Sequence, residues 1–262
     1  MAEPMITDLL KYSGLQLAAE ALLFDETSQK IKVDIVGALQ AGNGRSSVFT
    51  QPQAEDFNKL WQVVDQCPNT PTGFSGTLFR AIKDDAASGI HKDDLVVSFR
   101  STEFIDDSAR DSEGTDKMEI AKGGFALGQI ADMEAWYSKL TQSGGPLEGK
   151  RFAVTGYSLG AHLATVFNLL HGKDIDPVVT FNGAGIGQIG KGTLAGMVER
   201  FQSLLIQAGF SKKDGVAENP DGLKSLFQSE AGQRAYLKLR VALAVFNPLG
   251  CTNAGLRERY VG

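Results

Sequence analysis

Histidine and cysteine are the scarce residues of this sequence, and each scarcity narrows the chemistry. The 262 residues hold three histidines, His91, His162 and His171, and two cysteines, Cys67 and Cys251. Two cysteines do not make a disulfide framework, and their pairing stays open. No Cys/His cluster has zinc-ligand spacing, so neither a metal nor a cofactor is expected. No apolar run approaches the roughly 20 residues of a membrane span. The start, Met1-Ala2-Glu3-Pro4, has no basic stretch ahead of its apolar residues, which argues against an N-terminal secretory signal. This leaves a cytoplasmic protein, or one exported without such a signal. Excess positive charge is also missing: the net charge is -5, so nucleic acid is not an expected partner.

What remains is an ordinary globular composition, 42% hydrophobic and 22% charged, long enough for one large α/β domain. Ile6, Leu9, Leu10, Leu15, Ala18 and Leu22 recur at helical spacing, while residues 31–36 alternate and suggest a strand. Residues 54–66 suggest a helix with Phe57, Leu60, Trp61 and Val64 on one face. Strands are expected at 76–82, 94–99, 152–155 and 177–182, with helices at 125–140 and after residue 160. The alternation predicts a mostly parallel central sheet flanked by helices. Residues 1–190 would form the core of a single domain over 1–262, and 191–250 a helical insertion or lid-like segment. The acidic stretch with Asp106, Asp107, Asp111, Glu113 and Asp116 suggests a solvated loop without EF-hand spacing.

The most informative segment is Gly156-Tyr157-Ser158-Leu159-Gly160, a G-x-S-x-G pentapeptide between the apolar run 152–155 and the helix-like run 161–167. A tight strand-to-helix turn holds a serine in a strained conformation with its hydroxyl exposed. The helix N-terminus beneath it favours negative charge. Such a serine needs a base, a group that orients the base, and backbone donors for the oxyanion. Leu159 supplies one donor by its position after the nucleophile. The end of the 94–99 strand, continuing Arg100-Ser101-Thr102-Glu103, is the best source of the second.

Three stretches together resemble the class 3 lipases. Val96 to Thr102 is similar to their hydrophobic strand followed by F-R-G-[TS], and Gly156 to Ala164 to their G-[HY]-S-L-G-G-x-L-A elbow. Val179 to Gly185 is similar to their T-F-[GN]-x-[AP] strand. The order and spacing match over roughly residues 75–187. The resemblance implies an α/β-hydrolase fold, action on acylglycerols or phospholipids, Ser158 as nucleophile, and Thr102 and Leu159 as oxyanion donors. Ser101 and Ala161 depart from the pattern, each standing where the family has glycine.

In that family the acid and the histidine follow the strand that ends near Gly185, yet this sequence has no histidine after His171. His162 lies one helical turn past Ser158 and suits helix packing. His171 suits the C-terminal end of that helix, and His91 suits a surface loop. Asp174, Asp176, Asp214 and Asp221 offer no convincing catalytic acid. Three explanations stand: the acid and base follow Gly262, the triad has been lost, or another residue is the base. The first is preferred, with the fold completed beyond Gly262. The expected function is a serine carboxylic-ester hydrolase acting on acyl lipids at a lipid interface, a triacylglycerol lipase or phospholipase A1. The alternative is a catalytically incomplete hydrolase-fold module that binds lipid or a protein partner. The helix-like run 194–210 is the best lid candidate, although simple packing explains its apolar face better.

Overall fold

The computed structural model describes residues 6–44, 46–70, 72–101, 126–183, 185–186, 193–196 and 199. Thr102, the acidic stretch 106–116, Asp214, Asp221, Cys251 and all but five residues of the 191–250 segment lie outside the described residues. The chain divides into two compact units. The first comprises Met1–Pro68, Ser75–Ser101 and Leu140–Gly183; the second comprises Asn69–Phe74, Thr102–Lys139 and Ala184–Gly262.

The first unit opens with helix α1, Ile6–Ala19, followed by a two-stranded antiparallel pair, β1 (Phe24–Asp25) and β2 (Lys30–Ile31). Helices α2, Ile35–Ala41, and α3, Gln51–Leu60, lead into β3, Trp61–Cys67. Next come β4, Gly76–Ala81, and β5, Leu95–Phe99. Helix α4, Leu127–Thr141, comes next and belongs to the second unit as far as Lys139. The first unit resumes with β6, Phe152–Tyr157, α5, Leu159–His171, and β7, Ile175–Phe181. Among the described residues no helix is long and apolar enough to cross a membrane.

Two expected elements are corrected. The helix expected over 54–66 ends at Leu60, where the chain turns directly into β3. Phe57 and Leu60 do follow a helical period. From Trp61 onward, however, Trp61 and Val63 are buried and Gln62 is exposed, the two-residue period of a strand paired with β4. The strand expected over 31–36 is cut short because Asp34 starts a helix. Its carboxylate accepts the Gly37 amide at 2.8 Å as the N-cap of α2.

The sheet is mixed: the parallel strands expected of an α/β fold are present, and two antiparallel pairs are added to them. Its order is β3-β4-β5-β6-β7; β5, β6 and β7 run parallel, while β3–β4 and β4–β5 are antiparallel. The short connection after β3, from Pro68 to Ser75, leaves no room for a crossover helix, so β4 returns beside β3. Strand alternation then assigns the two faces. Phe79, Ala81, Val96 and Ala153 join Tyr12, Leu15, Ala18 and Ala19 of α1 in one core. On the opposite face Phe99 and Phe152 meet Phe167 of α5, with ring centroids 5.5 and 6.1 Å apart. Each such buried aromatic contributes about 1.5–3 kcal/mol of hydrophobic transfer. Helices therefore cover both faces of the parallel strands.

One buried side chain ties the segment after α1 to the sheet. Gln66 is 3% exposed. Its Oε1 accepts the amides of Leu23 and Phe24 at 2.7 and 2.9 Å. Its Nε2 donates to the Ala21 carbonyl at 3.0 Å and to Thr77 Oγ1 at 2.9 Å. Removing such a group orphans several buried partners at once. Gln66→Ala is expected to lower unfolding free energy by about 2–4 kcal/mol, measured by urea denaturation.

In the second unit, Thr72 and Phe74 are fastened to α4. Thr72 Oγ1 donates to Asp132 Oδ2 at 2.7 Å, Gln129 Nε2 donates to the Thr72 carbonyl at 3.2 Å, and Phe74 packs on Trp136 at 6.0 Å. Asp132 and Gln129 are both buried. This accounts for two buried polar residues on α4.

Candidate functional site

The turn from β6 to α5 is built by its glycines. A Cβ on Gly156 would collide with the Gly160 carbonyl, and one on Gly160 would collide with the carbonyl of Phe99 at the end of β5. Strand, helix and neighbouring strand thus approach more closely than any side chain permits. Ser158 sits between them at φ 53° and ψ -115°. This is the left-handed side of backbone space, which costs a non-glycine residue about 1–3 kcal/mol. The conformation is held by two hydrogen bonds: the Ser158 amide donates to the Phe181 carbonyl at 3.0 Å, and the Ser158 carbonyl accepts from His162 at 3.2 Å.

Ser158 is half-buried, and its side chain does not cap its own helix. Leu159 follows as the first residue of α5, its side chain buried. An amide at that position has no partner inside the helix, so it can donate to a negative oxygen beside the serine. Relieving the strain should stabilise the fold. Ser158→Gly is expected to gain about 1 kcal/mol, read as a rise of a few degrees in thermal midpoint. A loss of stability would contradict the strained geometry.

The three histidines take up the structural positions expected of them. His162 is completely buried on α5. His171 ends that helix with its ring centroid 4.9 Å from that of Phe167. His91 is exposed in the loop before β5, its amide donating to Asp94 Oδ2 at 2.9 Å. Asp174 precedes β7 and is exposed. Asp176, within β7, forms an exposed pair with Arg151 at 3.1 Å that contributes little to stability. Among the described residues no His/Cys/Asp/Glu group is arranged to hold a metal.

The two departures from the lipase pattern are accommodated differently. Ala161 is fully buried, and a Cβ on Gly183 would lie 3.1 Å from its methyl group, so the glycine stands just past the end of β7 instead. Ser101 is not among the residues with left-handed φ. Its amide donates instead to Glu20 Oε1 at 3.0 Å. Glu20, at the end of α1, is 2% exposed and also accepts from Gln16 Nε2 at 2.7 Å. Burial pushes its carboxyl above the ordinary carboxylate range, while the bonds from Ser101, the nearby Arg100 charge and Gln16 draw it down. No sequence signal marks this glutamate, because its partner is 81 residues away.

A cavity of about 580 Å³ opens at the other end of the parallel strands. Tyr12, Asp94, Leu95, Arg151, Phe152 and Asp176 are among its lining residues. Burial, with Asp8, Asp94 and Asp176 nearby, raises the Tyr12 phenol well above its ordinary value, so it stays neutral. Leu95 and Phe152 begin their strands whereas Ser158 follows the end of one, so this cavity is separate from the serine turn.

Comparison with known protein families, with curated proteins and with solved structures found no match.

Proposed function

We propose that the protein is a serine carboxylic-ester hydrolase of the α/β-hydrolase type, acting on acyl lipids such as triacylglycerols or phospholipids. Ser158 Oγ attacks the acyl carbonyl as a general base takes its hydroxyl proton, which the leaving alcohol later receives; the proposed donors to the developing oxyanion are the amides of Leu159 and of Thr102, the latter outside the described residues. The tetrahedral intermediate then expels the alcohol and leaves an acyl-serine, which water hydrolyses. One observation carries this reading: a serine at positive φ stands between a strand end and a helix N-terminus whose flanking glycines admit no side chain. Energy stored at this half-buried serine is explained by a demand for the position of its hydroxyl.

The lipid part of the proposal rests on the motif resemblance and is tested by substrate length. The full-length protein is expected to hydrolyse long-chain p-nitrophenyl esters faster than short ones, with activation at a lipid interface. Equal turnover of both would contradict a lipid substrate, and absence of turnover would contradict hydrolysis. The second reading, a catalytically incomplete module that binds lipid or a protein partner, draws on the histidines. His162 is buried in packing, His171 ends a helix and His91 is exposed on a loop.

A further inference from the structure

Tyr12 is the unusual residue of the cavity at the start of the parallel strands. It is 4% exposed, and it lines that cavity. Its hydroxyl has no hydrogen-bond partner among the described residues. A buried tyrosine ordinarily finds one, because an unpaired hydroxyl has given up its bonds to water. Phenylalanine would fill the same position beside Leu15 and Ala19 without that penalty, so core packing does not explain the hydroxyl. The ring is held in place by Lys11, whose Nζ lies 4.8 Å from its centroid and donates to the Gly89 carbonyl at 2.8 Å.

The rest of the lining is acidic. Asp8 and Tyr12 stand four residues apart on α1 and so share a face. Asp93 and Asp94, just before β5, and Asp176, in β7, bring the carboxylates of the lining to four. They outnumber its basic residues, Lys11, His91 and Arg151. Two of those bases are already engaged: Lys11 lies 3.8 Å from Asp8 besides holding Gly89, and Arg151 pairs with Asp176 at 3.1 Å. Asp94 accepts the backbone amide of His91 at 2.9 Å and has no cationic partner among the described residues. The phenol stays protonated under burial and the charges of Asp8, Asp94 and Asp176, so it offers a neutral oxygen. Leu95 and Phe152 add buried apolar side chains to the wall. A volume of about 580 Å³ suits a small molecule, whose sites typically span roughly 300–1,000 Å³. The described carboxylates do not gather into a metal-holding group, so the negative charge calls for an extended organic cation.

We propose that this cavity binds a short aliphatic diamine, with its ammonium groups at Asp94 and Asp8, the Tyr12 hydroxyl accepting one N–H, and its methylene chain against Leu95 and Phe152. The site does not depend on Ser158 or on the hydrolase reading.

Calorimetric titration of the full-length protein with 1,4-diaminobutane tests it. Saturable binding is expected. Tyr12→Phe, which keeps the ring and its contact with Lys11, should weaken that binding about 5–10-fold. Asp94→Asn, which keeps an acceptor for the His91 amide but removes the charge, should weaken it about tenfold or more. Ser158→Ala should bind as the wild type does. Absence of saturable binding, or unchanged affinity in either folded variant, overturns the proposal. Loss of binding in Ser158→Ala overturns it as well, by moving the amine to the serine turn. Tighter binding of magnesium ion or inorganic phosphate that displaces the diamine marks a metal or anion site and overturns it too. If neither cavity variant folds, the wild-type Gly89 and Leu95 amides decide: their resonances must shift on addition of 1,4-diaminobutane, and resonances that do not move overturn the site.

Discussion

Gly160→Val is expected to unfold the protein or leave it more than about 4 kcal/mol less stable, a large share of the total stability of a typical domain. The added side chain would overlap the Phe99 carbonyl, which is backbone and cannot rotate away. Relief requires α5 to lift from β5, separating Phe167 from Phe99 and opening the core on that face of the sheet. Gly14→Ala is the control. It lies in α1 with nothing within 4 Å of the new methyl group, and alanine is the better helix former. That variant should gain about 0.5–1 kcal/mol. Chemical denaturation of the two variants therefore separates close backbone approach from a general glycine effect. Comparable stability in both would mean that the turn is looser than the geometry requires.

Ser158→Ala carries the second large effect, on chemistry. Loss of a hydroxyl nucleophile typically removes about 10³-fold or more of a serine hydrolase's rate, because the remaining donors have no covalent step to assist. The fold should survive: the Phe181 and His162 bonds of residue 158 are made by its backbone. Near-wild-type ester hydrolysis by a folded Ser158→Ala protein would mean that the turn is structural and that any activity lies elsewhere.

How far the sequence foretells these features depends on how local they are. The serine turn is legible because its causes are neighbours: an apolar strand, two glycines and a helix within a few residues. The Leu95–Phe99 strand is legible for the same reason, as an apolar run buried along its whole length. The boundary at Leu60 is not. Phe57, Leu60, Trp61 and Val64 satisfy a helical period, and only pairing with β4 shows that Trp61 begins a strand. The antiparallel pairs of the sheet are hidden likewise, because strand direction is decided by connections and partners. Glu20 and Gln66 are the clearest cases. Each is one polar residue in an ordinary segment, and each owes its place to atoms about 40 to 80 residues away. Ser101 looks like a flaw in a glycine position until its amide is seen bound to that distant carboxylate.

The proposed function requires the strained turn to present Ser158 as an activated nucleophile. Intact mass and peptide mapping of the full-length protein after exposure to a fluorophosphonate test it most directly. One adduct is expected, on Ser158, absent from Ser158→Ala and from protein unfolded before exposure. A folded wild-type protein that carries no adduct, or carries it on another residue, would contradict it.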